Sequence, residues 1–326
     1  MDRRVARPKN DRVAMVQCPR WANLPPISLA YIKGAARRRP VQCVDLNHDL
    51  LKRCEPNYRG RFDFGEKCQD IASFMTSRPD FAAFEETCGA LSAKYADVFD
   101  EWVDRLKDYG VVGFSVYQTN LAMSAILARR LRREHGVVII SGGPSIGMDD
   151  HVFTRRLLGD GTFDVAVLGI AEDVIDELLE RIITGQDVAD IPGLVLPDAT
   201  DGAFFTPAKR PDLSRFSPPD YGDFDVDDYF QDRADWLHVY SVVGCVGNCE
   251  FCTIHELFPG YQHKPLENIQ REMLELRQRY GKNHFFFSDG MFLARRDDAM
   301  ALLDFAIAHG LKLGQGQRAL CVVVVI

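Results

Sequence analysis

The chain has 326 residues, long enough for two domains, and its 46% hydrophobic and 26% charged residues are those of an ordinary globular protein. A formal net charge of −8 argues against a protein that coats nucleic acid, which needs a basic face. The N-terminal run Met1-Asp2-Arg3-Arg4-Val5-Ala6-Arg7 lacks the apolar core of a secretory signal and no run approaches a membrane span, so a cytoplasmic protein without membrane contact is expected. The nine cysteines are too few and too scattered for a disulfide scaffold, which fits a reducing compartment.

From residue 10 to about 190 the chain alternates β-rich apolar runs with helical patterns, the signature of a parallel sheet covered by helices. Five strands are predicted, at Val13–Val16, Val41–Val44, Val111–Val116, Val137–Ile140 and Asp164–Leu168. Helices are predicted between them over Ser28–Arg38, Leu121–His135, Asp150–Leu158 and Glu172–Ile183. Residues 47–109 interrupt this rhythm with charged helical stretches, an insertion rather than a sixth strand. Short loops carry Gly and Pro after the fourth and fifth strands, Ser141-Gly142-Gly143-Pro144 and Gly169-Ile170-Ala171-Glu172. Turn chemistry alone accounts for such glycines as well as ligand contact does.

Residues 191–235 read as a hairpin and a linker. Gly193–Leu196 and Ala203–Thr206 flank a turn, and Pro207 to Tyr229 is rich in Pro and Asp. The last segment, 236–326, opens on an apolar run, Trp236 to Val243, read as one buried strand. It leads into Gly244-Cys245-Val246-Gly247-Asn248-Cys249-Glu250-Phe251-Cys252.

Three thiolates so close can hold three irons of a four-iron cluster and no more. Such clusters are ordinarily held by four cysteines, so the open iron points to a substrate or cofactor as its fourth ligand. Zinc remains an alternative, since His255 stands three residues beyond Cys252 and completes a Cys3His set. Cys18, Cys43, Cys54, Cys68 and Cys88 show no metal-type spacing and read as small hydrophobes, and Cys321 sits in a context that reads as core.

Beyond the cysteines, Leu266, Ile269, Met273, Leu276 and Tyr280 recur at helical spacing and Gly281 ends the helix. A strand at His284–Phe287, a helix at Asp297–His309 and a third strand at Leu311–Leu313 complete βαβαβ, the opening of a parallel barrel. Asp289 falls at the C-terminal end of the second strand, as either a ligand contact or a turn cap.

The C-x3-C-x2-C pattern, with Phe251 before its last cysteine, resembles the signature of the radical S-adenosylmethionine (SAM) enzymes. The arrangement ahead of it resembles the cobalamin-binding domain that precedes the radical domain in many of them, on Leu24 to Tyr31, Asp45-Leu46-Asn47, Gly142-Gly143-Pro144 and Gly169 to Glu172. The resemblance implies a Rossmann-like (flavodoxin-like) domain over 10–190 and an incomplete radical SAM (β/α) partial TIM barrel over 236–326. It implies a 4Fe-4S cluster on Cys245, Cys249 and Cys252, whose open iron is chelated by SAM and whose electron cleaves SAM to methionine and a 5′-deoxyadenosyl radical. Phe251 would lie near the adenine, Asp289 would meet the SAM amino group, and Arg318 and Gln315 would face the same cavity. Cobalamin would lie against Pro25, Pro26, Ser115, Gln118, Thr119, Gly142, Gly143, Gly169 and Glu172. The Asp-x-His-x-x-Gly motif that supplies an axial histidine in other cobalamin proteins is absent.

By the same resemblance the reaction is a cobalamin-dependent methylation of a small-molecule or natural-product substrate, with an electron donor such as flavodoxin or ferredoxin. About half of the family barrel lies before Ile326, so a truncated chain is expected, poor in coupled turnover. The alternative is a non-catalytic metal- or cofactor-binding module with structural zinc or a structural cluster.

Overall fold

The computed structural model describes residues 5–20, 24–54, 80–147, 152–198, 202–206, 209–229, 236–247 and 260–315, with 249, 250, 252, 254 and 258. The chain divides into two compact units, Met1–Lys209 and Arg210–Ile326.

In the first unit all five expected strands form, as β1 (Val13–Gln17), β2 (Val41–Asp45), β3 (Val111–Ser115), β4 (Val138–Gly142) and β5 (Val165–Val167). They pair in parallel in the order β2-β1-β3-β4-β5. This is the flavodoxin-like order, in which ligands sit outside the carboxyl ends of the strands at the switch point between β1 and β3. Every residue of β1 and of β3 is buried, as a sheet covered on both faces requires. The hairpin β6 (Leu194–Asp198) and β7 (Gly202–Phe205) extends the same sheet antiparallel from β5 and so belongs to this unit.

The segment 47–109 forms no strand among its described residues. It supplies helices Leu46–Cys54, Phe81–Lys94 and Ala96–Leu106, with residues 55–79 outside the described set. These helices are part of the core. Phe84, Cys88, Leu91, Phe99, Trp102 and Leu106 share one buried cluster with Ala14, Val16, Val112 and Phe114 of the central strands.

The second unit contains β8 (Trp236–Val239), β9 (Val242–Gly244), β10 (Tyr261–His263), helix Leu266–Tyr280, β11 (His284–Phe287), helix Arg296–His309 and β12 (Lys312–Gln315). β8, β11 and β12 form a parallel sheet in that order, with His284 opposite both Trp236 and Lys312. Side chains alternate across it. Leu237, Val239, Phe285 and Phe287 are fully buried, while Trp236 stacks on His284 at 5.2 Å and His238 meets Phe286 at 4.8 Å on the other face.

One expectation is corrected here. Trp236 to Val243 is not a single strand: it breaks at Tyr240–Ser241, and its second part, β9, leaves the parallel sheet to pair antiparallel with β10. Residues 316–326, with Arg318 and Cys321, lie outside the described residues, as do Cys68, Phe251 and His255. Among the described residues no helix is long and apolar enough to cross a membrane.

Phe99 is fully buried and packs edge to face on Trp102 at 5.6 Å. Phe99→Ala should therefore cost about 3–5 kcal/mol, read by chemical denaturation, whereas a helix on a peripheral insertion would lose little.

Candidate functional site

The break in the apolar run has a visible cause. Asp289, just past β11, accepts the backbone N–H of Ser241 at 2.7 Å and of Val242 at 3.2 Å on Oδ1, and the Ser241 hydroxyl donates to Oδ2. From the other side, the N–H of Lys264 donates to the carbonyl of Ser241 at 2.7 Å. The polar groups freed by the bend are thus satisfied without water, as burial demands. Lys264 turns its ammonium into the interior, 2.7 Å from Glu272 and 4.6 Å from the centre of the Tyr240 ring.

β9 delivers the chain to the cysteines. Gly244 has φ +80°, and a Cβ there would collide with the carbonyls of Gly260 and Phe258, so the two arms of the loop touch at its base. Tyr261 pairs with Gly244 and closes the loop. Within it the N–H of Gly247 donates to Cys245 Sγ at 3.3 Å, and the N–H of Cys252 donates to the carbonyl of Cys249 at 3.0 Å. A Cβ at Gly247 would stand 3.5 Å from Cys245 Sγ and 3.8 Å from Cys249 Sγ, so these two sulfurs flank the bare glycine. Cys249 is exposed, and Cys245 and Cys252 are half-buried.

Among the described residues no three His, Cys, Asp or Glu side chains converge closely enough to share one ion. The hydroxyl of Tyr261 is buried without a hydrogen-bond partner among the described residues, and it lies close enough to Asp289 and Cys245 to feel their charge. An acceptor arriving at the loop would satisfy it.

Four of the other cysteines are among the described residues and are placed as small hydrophobes would be. Cys18, Cys43 and Cys88 are buried and Cys54 is half-buried. Burial pushes the Cys18 and Cys88 thiols up to about 12, far from a reactive thiolate.

In the first unit the expected cofactor-binding residues gather at the carboxyl edge of the sheet. Ser115 ends β3 and Gly142 ends β4, Gly143 follows, Gly169 turns after β5, and Glu172 lies in the short turn Ala171–Asp173, which touches helix Ile27–Ala35. Pro25 and Pro26 are buried ahead of that helix, and Ser28 Oγ lies 3.0 Å from Ser115 Oγ. Gly143 has φ +106°, and a Cβ on it would meet the backbone of Val116 at 2.6 and 2.8 Å. Thr119 is half-buried and Gln118 exposed in the loop after β3.

The same edge holds Gln17, Asn120 and Ser145, which the sequence did not single out, beside the expected Thr119. Asn120, fully buried, donates to the carbonyls of Cys18 and Ser115 and accepts the N–H of Tyr117, stapling β1 to β3. Gln17 Oε1, Thr119 Oγ1 and Ser145 Oγ are buried without a hydrogen-bond partner among the described residues. Leaving such atoms unsatisfied costs about 1–3 kcal/mol each, so this edge suits a polar ligand. The available signal was a polar residue closing an apolar strand, as Gln17 closes β1.

Residues 239–319 match the model of the Radical SAM superfamily. No curated protein matches the chain in sequence. Among solved structures it is similar to the radical S-adenosylmethionine methyltransferase TsrM from Kitasatospora setae, with tryptophan substrate and the SAM analogue aza-SAM bound. The identity is 16% and the TM-score 0.60, over 93% of this chain and 54% of that one. A second TsrM structure, with cobalamin and a 4Fe-4S cluster bound, is 17% identical at a TM-score of 0.58, over 93% and 55% of the two chains. The cobalamin-dependent radical enzyme OxsB, with aqua-cobalamin and S-adenosylmethionine bound, is 14% identical at 0.60, over 95% of this chain and 38% of that one. The chain thus has the α/β fold of these enzymes, and spans about half of the length of the first and less of the second.

Burial raises the Asp289 carboxyl to about 6, and the bonds from Ser241 and Val242 and the charge of Lys264 offset only part of that rise. Its folded value thus exceeds its unfolded one, so the associated stability is full below about pH 4 and is lost as pH rises through about 6. Asp289→Asn removes this titration. From pH 4.5 to 7.5 the variant should gain stability relative to the parent by on the order of 2 kcal/mol, measured by denaturant titration at each pH. A pH-independent difference would contradict the buried-charge account.

Proposed function

We propose that the chain works as a radical SAM enzyme of the cobalamin-dependent methyltransferase type, with a 4Fe-4S cluster, SAM and cobalamin as its cofactors. The observation that carries this is the cysteine loop. Three cysteines at C-x3-C-x2-C spacing hang from β9, beside the carboxyl end of a parallel β/α sheet, within the segment that matches the superfamily model.

When bound, the cluster would supply the electron that cleaves SAM, and cobalamin a methyl group for an unreactive carbon. Cys245, Cys249 and Cys252 would be the ligands, leaving one iron for SAM. The N–H of Gly247 donates to Cys245 Sγ, the kind of hydrogen bond that the sulfurs of such clusters accept. Phe251 and Arg318 stand as proposed SAM contacts on the resemblance alone. Cobalamin would lie over the carboxyl edge of the first sheet, where the bare Gly142 and Gly143 let a flat ring approach the backbone and Gln17, Thr119 and Ser145 offer unsatisfied polar atoms. A small-molecule substrate and a flavodoxin- or ferredoxin-type electron donor complete the reading.

Anaerobic reconstitution, followed by iron, sulfide, cobalt and zinc analysis of one sample, tests it. Iron and sulfide should load together, and replacing all three cysteines by Ala should abolish the visible cluster absorption. Stoichiometric zinc without iron would sink the proposal. Added hydroxocobalamin should co-elute with the chain on gel filtration, and complete separation of the two would leave a fold that has lost this cofactor.

A further inference from the structure

Asp289 is buried at 6% exposure, and both of its oxygens are already engaged by Ser241 and Val242. Little of the carboxylate faces outward to meet a ligand. Its next neighbour is the more revealing one. A Cβ on Gly290 would stand 2.6 Å from Ile254 Cδ1, 3.1 Å from the Gly244 carbonyl and 4.0 Å from Cys245 Cβ, so the segment after β11 lies directly against the first cysteine. A side chain there would push the end of Ile254 aside and press on the Gly244 carbonyl at the base of the loop.

The loop is therefore gripped at its base from two directions. Asp289 fixes the bend that starts β9, Gly290 abuts Gly244 and Cys245, and pairing with Tyr261 closes the far arm. Cys245 directly follows Gly244, the last residue of β9, and so takes its place in space from this base. Resting on the cluster reading above, we propose that Asp289 is a positioning residue. It locks the Ser241–Val242 bend and so holds Gly290 against the cysteine loop, which sets Cys245 for cluster binding. It acts on the cluster through Ser241 and Gly290, rather than by touching SAM.

Asparagine separates the two roles. Its Oδ1 can still accept both N–H groups and its amide can donate to the Ser241 hydroxyl, but it carries no charge for an ammonium group. The full chain and its Asp289→Asn, Asp289→Ala and Gly290→Ala variants are reconstituted anaerobically. Each is checked for folding by circular dichroism, then compared in iron content, in the electron paramagnetic resonance spectrum of the reduced cluster, and in SAM affinity. Asp289→Asn should match the parent in all three. Asp289→Ala and Gly290→Ala should stay folded yet load iron several-fold less, with a shifted spectrum for what remains. If Asp289→Ala does not fold, Gly290→Ala decides the matter, since it leaves the carboxylate in place.

A loss of about tenfold or more in SAM affinity for Asp289→Asn, with its cluster intact, would overturn the proposal in favour of direct SAM contact. Ala variants that load and resonate like the parent would overturn it too. A parent chain that takes up no iron would overturn the proposed function itself, together with the positioning role built on it.

Discussion

The arrangement of the second unit depends on one buried carboxylate and the bend that it holds. Without Asp289, the run Trp236 to Val243 is apolar enough to continue as a strand, and the cysteines would be carried off the end of β8 in line with the parallel sheet. With it, the N–H groups of Ser241 and Val242 turn toward β11, and the chain departs at an angle into a small antiparallel ribbon. Burying a charge for this purpose opposes stability, since desolvation outweighs the hydrogen bonds and raises the carboxyl to about 6. Such local cost is usual where a fold is shaped for chemistry. The Lys264–Glu272 pair on the far side of Ser241 is buried as well, so the bend sits among several buried polar groups.

The first unit applies the same logic at the carboxyl edge of its sheet. β1 and β3 are apolar until their last residues, Gln17 and Ser115, and β4 ends in Ser141 and Gly142. Asn120 ties two of these ends together at the switch from β1 to β3, the place where sheets of this order hold their ligands. Among the described residues, Gln17 Oε1, Thr119 Oγ1 and Ser145 Oγ are buried without a hydrogen-bond partner, and the backbone of Gly143 lies hard against Val116. Rigid backbone, bare glycine and unused hydrogen-bonding capacity are the features that the proposed cobalamin site would use.

Much of this was legible in the sequence, because the relevant signals are local. The five parallel strands announce themselves as β-branched runs, helix Leu266–Tyr280 by its three-and-four spacing, and the cysteine loop by its motif. Three things were not legible. The bend at Ser241 is dictated by a residue 48 positions away, and a single serine in an apolar run gives no warning of it. The helices between residues 80 and 106 look like a charged excursion in sequence, yet Phe84, Phe99 and Trp102 lie on the faces that close the core. Gly290 reads as a turn residue until the loop that it touches is in place.

The central claim is that the three cysteines hold a cluster whose fourth iron is left for SAM. Mössbauer spectroscopy of the chain reconstituted with isotopically enriched iron tests this most directly, with and without added SAM. The account predicts a four-iron cluster in which one iron site alone changes its isomer shift and quadrupole splitting when SAM is added. A cluster whose irons are all indifferent to SAM, or a chain that holds zinc and no iron, would contradict it.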